Sequence, residues 1–62
     1  MERKQLIECI TNGVVVKYQD TEYLPVGYTL RRKDGKWWHQ AILQDMVSGR
    51  CEVYAALDKV EA

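Results

Sequence analysis

The chain has 62 residues, nine basic against nine acidic, 47% hydrophobic content, two Trp and four Tyr. Such a length is one domain near the lower limit at which an apolar core alone holds a fold, and this apolar content argues against a disordered chain. Zero net charge argues against a strongly basic nucleic-acid binder, and one Pro with four Gly leaves no flexible linker.

The first stretch, MERKQLIECITN, sets Leu6, Ile7 and Ile10 at a spacing that makes one apolar stripe on a helix. A helix is predicted over about residues 2–12, with Gly13 as the left-handed residue that ends it. Asn12-Gly13 is also a hairpin-turn signal, which would pair Glu8 with Lys17 and Cys9 with Val16. The helix is preferred, because Glu, Arg, Lys, Gln and Leu crowd its first half. No part of this stretch reads as a signal peptide or a membrane span, so a cytoplasmic setting is expected, with Cys9 and Cys51 as free, buried thiols.

Residues 14–19, VVVKYQ, are β-branched and aromatic and read as a strand, followed by a turn at Asp20-Thr21. A long strand over 22–33 follows, whose even positions Leu24, Val26, Tyr28 and Leu30 form an inward row. Pro25 cannot donate to a ladder and Gly27 marks a bend, so this strand is expected to curve there and help a small sheet close on itself.

The segment YTLRRKDGKWWHQAIL, Tyr28 to Leu43, carries both Trp, the only His and the only Asp-Gly. Asp-Gly between alternating runs predicts a tight β-hairpin, because the turn needs positive φ. A two-residue loop at Asp34-Gly35 pairs Lys33 with Lys36, Arg31 with Trp38 and Leu30 with His39. A three-residue loop starting at Lys33 would shift the register by one, place Trp38 and Ile42 opposite Leu30, and avoid facing two lysines. The two-residue loop is preferred because it sets the more apolar odd positions Trp37, Ala41 and Leu43, and not Trp38 and Ile42 with two glutamines, on the face of Tyr28 and Leu30. Neighbouring strand residues point to opposite faces, so Trp37 and Trp38 cannot both be core. Trp37 is assigned to the core and Trp38 to the surface.

The second hairpin strand covers 36–44, and a last strand covers 50–56 with Cys51, Val53 and Ala55 inward. Leu57 and Val60 are expected to plug one end of the sheet. The fold class is therefore α+β: a short N-terminal helix followed by a four-stranded antiparallel meander curled towards a small barrel. Its expected core is Leu6, Ile10, Val16, Leu24, Val26, Tyr28, Leu30, Trp37, Ala41, Leu43, Cys51 and Val53.

No chemistry of catalysis is legible. One His and two distant Cys lack the close ligand spacing of zinc sites, and no nucleophile stands with a base, so no metal, cofactor or catalytic residue is assigned. The candidate binding residues are Arg31, Lys33, Lys36 and Trp38 on one hairpin face, together with Tyr54. Cations beside an aromatic platform suit single-stranded nucleic acid, while exposed Trp, Tyr and Arg equally suit a protein interface or self-association. A non-catalytic interaction module is expected, with a protein partner or a second copy ahead of nucleic acid because the net charge is zero.

The run KDGKWWHQAILQDMVSGRCEVYAAL resembles the central strands of Tudor-like and Src-homology-3-like small barrels. The resemblance covers roughly the second half of the chain and implies an aromatic cage that includes Trp38, with Tyr54 the one further aromatic in place. The alanine falls one place later than in that pattern. The whole chain also resembles short proteins of bacterial mobile elements that begin with an Ile-rich helix ending in Asn-Gly, a likeness that implies no activity.

Overall fold

The computed structural model describes all residues from Met1 to Ala62. The helix α1 spans Arg3–Asn12. Its buried stripe is Leu6 and Cys9, one turn apart on one face, with Ile10 packed beside them, while Ile7 points away and is exposed. Gly13 ends the helix at φ 67°, and the Val14 N–H donates to the Cys9 carbonyl at 2.9 Å, closing a Schellman-type cap. Asn12-Gly13 is thus a helix end and not a hairpin.

Four antiparallel strands follow: β1 over Val16–Tyr18, β2 over Thr21–Lys33, β3 over Lys36–Asp45 and β4 over Glu52–Ala56, in the spatial order β1-β2-β3-β4. The fold is α+β, with the strands forming a curled half-barrel. The turn from β1 to β2 falls at Gln19-Asp20, one residue earlier than expected, since Tyr18 pairs with Thr21. Both turn residues take positive φ, 52° and 60°, the conformation that a two-residue hairpin loop requires even without a glycine.

Asp34-Gly35 forms the same kind of turn, with φ of 54° and 75°, and Lys33 pairs with Lys36. The two-residue register therefore holds. It does so despite two lysines facing each other, a repulsion that the exposed end of a hairpin tolerates because water screens it.

The strand β2 departs from the expected row at one place. Pro25 pairs with Leu43 and Gly27 with Ile42, so Val26 is an extra residue, a β-bulge. An extra residue reverses the alternation. Tyr23 and Pro25 point inward before the bulge, Tyr28 points inward after it, and Leu24 and Val26 are displaced from the core they were expected to join.

Side chains from both layers meet under α1. The buried apolar residues are Leu6, Cys9, Val16, Ala41, Leu43, Ala55, Leu57 and Val60, with Ile10, Tyr23, Tyr28 and Val53 packed against them. Leu57 opens and Val60 follows a single 3-10 turn, Leu57–Lys59, which carries the chain back to β1. There Glu61 and Lys17 exchange backbone hydrogen bonds of 2.7 and 2.8 Å, so the chain end continues the sheet on the far side of β1. Leu57 and Val60 do close the sheet end as expected.

Five expected core residues lie outside it, Leu24 among them, half-buried but not packed on the core. Trp37 is 60% exposed, Leu30 45% and Val26 39%, and Cys51 is exposed just before β4, so only Cys9 is a buried thiol. Leu30 and Trp37 have the inward orientation that the pattern predicts, but they lie beyond the part of the sheet that the short helix covers. The β3–β4 loop is instead organised by a polar side chain. Asp45 accepts the N–H groups of Val47 at 3.0 Å and Ser48 at 3.1 Å and the Ser48 hydroxyl at 2.7 Å. The Val47 and Ser48 bonds hold its carboxyl below the usual carboxylate range.

Candidate binding surface on the β2–β3 arm

The strand β1 reaches only as far as Tyr23 on β2, and β4 only as far as Gln40 on β3. Beyond them, from Leu30 to His39, the two central strands continue as a two-stranded ribbon. The protein is correspondingly long, 36 × 21 × 18 Å. Only one acidic residue, Asp34, stands on this arm with Arg31, Arg32, Lys33 and Lys36, a local charge of +3, and the rest of the chain carries −3. Asp20 and Glu22 lie at the opposite end of the 13-residue strand β2. Charges farther apart than a screening length of about 8 Å act nearly independently, so a ligand at the arm meets a cation cluster and not a neutral protein.

Strand alternation divides the arm into two surfaces. On the outer face, Arg31 stands opposite Trp38, Thr29 opposite Gln40, and Ile42 is flanked by Gly27 and Tyr54. Arg31, Lys33, Trp38 and Gln40 surround an open cavity of about 220 Å³. Trp38 is 49% exposed, leaving part of its ring free. The Arg31 guanidinium lies over the Tyr54 ring, 5.8 Å from its centroid.

Of the candidate residues, Arg31, Lys33 and Trp38 share this cavity, and Tyr54 joins them through Arg31. Lys36 stands opposite Lys33 at the tip, outside the cavity lining. Gln40, which its even position in β3 puts on the Trp38 face, joins the cavity as well. Its Oε1 is buried and has no hydrogen-bond partner.

The inner face of the arm presents Leu30, Trp37 and His39. The Arg32 guanidinium lies 5.8 Å from the Trp37 ring centroid, and the Tyr28 hydroxyl and His39 Nδ1 share a hydrogen bond. A second cleft, about 330 Å³, opens between Trp37, Trp38 and His39 on one side and Met1, Ala56, Leu57 and Asp58 on the other, so Trp38 borders both cavities. Both tryptophans are therefore at the surface, one on each side of the ribbon.

No group of three or more His, Cys, Asp or Glu side chains gathers where a metal could bind. No helix is long and apolar enough to cross a membrane. Comparison with protein-family models, with curated proteins and with solved structures yields no match to this chain.

Proposed function

We propose that this protein is a non-catalytic interaction module that binds single-stranded nucleic acid through the outer face of the β2–β3 arm. The observation that carries this reading is the placement of a half-exposed Trp38 among Arg31, Lys33 and Gln40 around one cavity. Cations neutralise phosphates while a base stacks on the ring, a contact that contributes about 1–3 kcal/mol per base. The facing Lys33 and Lys36 support the same reading, since an anion between them removes their repulsion. Overall neutrality speaks for a protein partner, but the separation of charge along the molecule outweighs it locally.

The curled meander accords with the resemblance to Tudor-like and Src-homology-3-like barrels. A methylated cation is nevertheless a poor ligand here. The Tyr54 ring is already faced by the Arg31 guanidinium, and Lys33 adds a second positive charge beside Trp38. The free thiols Cys9 and Cys51 accord with a reducing, cytoplasmic setting.

A second reading rests on the inner face. Leu30 and Trp37 are 45% and 60% exposed beside the cleft at Met1 and Leu57, which suits a protein partner or a second copy of the chain. Titration of a mixed single-stranded oligonucleotide, followed by tryptophan fluorescence in Trp37→Ala and Trp38→Ala variants, separates the two. The nucleic-acid reading predicts quenching that survives Trp37→Ala and is lost with Trp38→Ala. No response in either variant or in the wild type rejects it.

A further inference from the structure

Gln40 occupies the most constrained position on the outer face. Its strand is paired on both sides there, to Thr29 of β2 and Ala56 of β4, so its backbone cannot shift. Two residues along the same strand and on the same face stands Trp38, about 7 Å away from Cα to Cα. Arg31 lies on β2 opposite Trp38, and its guanidinium reaches the Tyr54 ring on β4, opposite Ile42. In the register Gln40 falls on the diagonal between those two ends. Its Oε1 is buried and unpartnered.

A buried acceptor without a partner is unfavourable, and this one belongs to a side chain that lines the cavity. A phosphate drawn to Arg31 gives the guanidinium a stronger partner than the Tyr54 ring. A carboxamide presents one acceptor and one donor side by side, whichever way round it sits. Nucleobases present the complementary pair on their edges, and the cavity of about 220 Å³ has room for one base.

Resting on the nucleic-acid reading, we infer that the cavity is a base-selective nucleotide subsite: Trp38 stacks the base, Gln40 reads its edge, and Arg31 and Lys33 hold the adjoining phosphate. The arm then discriminates among bases instead of binding any single strand equally. Stacking alone also produces modest preferences, so the decisive quantity is the part of the preference that depends on Gln40.

The test uses fluorescence anisotropy with labelled dA, dC and dT homo-oligomers of about 12 nucleotides, long enough for one small binding domain. The wild-type protein is expected to show a spread of about tenfold between its best and worst oligomer, the discrimination of one edge contact. Gln40→Met and Gln40→Leu, with folding verified by thermal unfolding, are expected to collapse the spread to about twofold while leaving the salt dependence unchanged. A wild-type spread below about twofold, or a spread that both variants retain, overturns the base-reading role and leaves the nucleic-acid reading standing. No binding to any of the three overturns both.

Discussion

Adding one methyl group at Gly27 tests the bulge that organises β2. A Cβ built there would lie 3.0 Å from the Ile42 Cδ1, 3.4 Å from its Cβ and 3.5 Å from its Cγ1. The first distance is the tightest and obliges the Ile42 Cδ1 to give by a few tenths of an ångström, a mild overpacking at the low end of the usual cost of about 1–3 kcal/mol. Gly27 is not in the left-handed region, so alanine fits its backbone and restricts the unfolded chain, a gain of about 0.4–1 kcal/mol. The net expectation for Gly27→Ala is a loss of about 1 kcal/mol, or a Tm lower by about 4–8 °C in a domain of this size. Ile42→Val deletes the Cδ1 that makes the overlap. In that background Gly27→Ala should be neutral or slightly stabilising, so a double-mutant cycle by thermal or urea unfolding should give a coupling of about 1–2 kcal/mol. Purely additive effects would refute the register in which Val26 is the extra residue and Gly27 faces Ile42.

Three further expectations concern the core, the loop and the arm. Leu43, fully buried beneath α1, should lose about 2–5 kcal/mol on replacement by Ala, a large part of the roughly 3–9 kcal/mol available to a domain this small; chemical unfolding measures it. The Asp45 carboxyl titrates below its unfolded value, so its contribution is present above about pH 4 and fades as the pH falls through the lower folded value. Asp45→Asn should flatten that part of the stability-against-pH curve, which thermal scans over the acid range will show. Lys36→Ala should reduce the slope of log affinity for a single-stranded oligonucleotide against log salt by about 0.7, one phosphate contact, without changing which oligonucleotide is preferred.

Much of this fold is legible where local chemistry dictates the backbone. Asp34-Gly35 can form its turn in few ways, and the alternation on either side then settles which residues face each other down to Tyr28 and Ala41. Gly13 likewise marks the end of α1 because a left-handed residue is needed there. The readings that fail depend on tertiary reach. Pro25 and Gly27 announce an irregularity, yet only the pairing with β3 shows that it is a one-residue bulge, and that single residue moves Val26 out to the surface. Trp37 has the orientation of a core residue, but a ten-residue helix does not extend far enough to cover it. The turn at Gln19-Asp20 lacks the Gly or Asn that would reveal it, and the return of Glu61 to Lys17 joins residues too distant in sequence for any local pattern.

The site is legible in part for the same reasons. Period-two alternation together with the two-residue turn puts Arg31, Lys33, Lys36 and Trp38 on one face, and the structure brings Arg31, Lys33 and Trp38 around one cavity. Two features need the sheet itself. One is the stretch of β2 and β3 beyond the ends of β1 and β4, which turns a neutral chain into one with a cationic arm. The other is the burial of the unpartnered Gln40 Oε1.

The most direct test of the central claim is an NMR titration of the isotopically labelled protein with a mixed single-stranded DNA, at about 50 mM and then about 200 mM salt, a range over which phosphate contacts weaken sharply. The account predicts that the Trp38 indole signal and the amides of Arg31 to Lys36 and Gln40 move together, that the Trp37 indole moves little, and that the shifts shrink at the higher salt. Signals that stay fixed at both concentrations, or a response confined to Trp37 and Leu30, would contradict it.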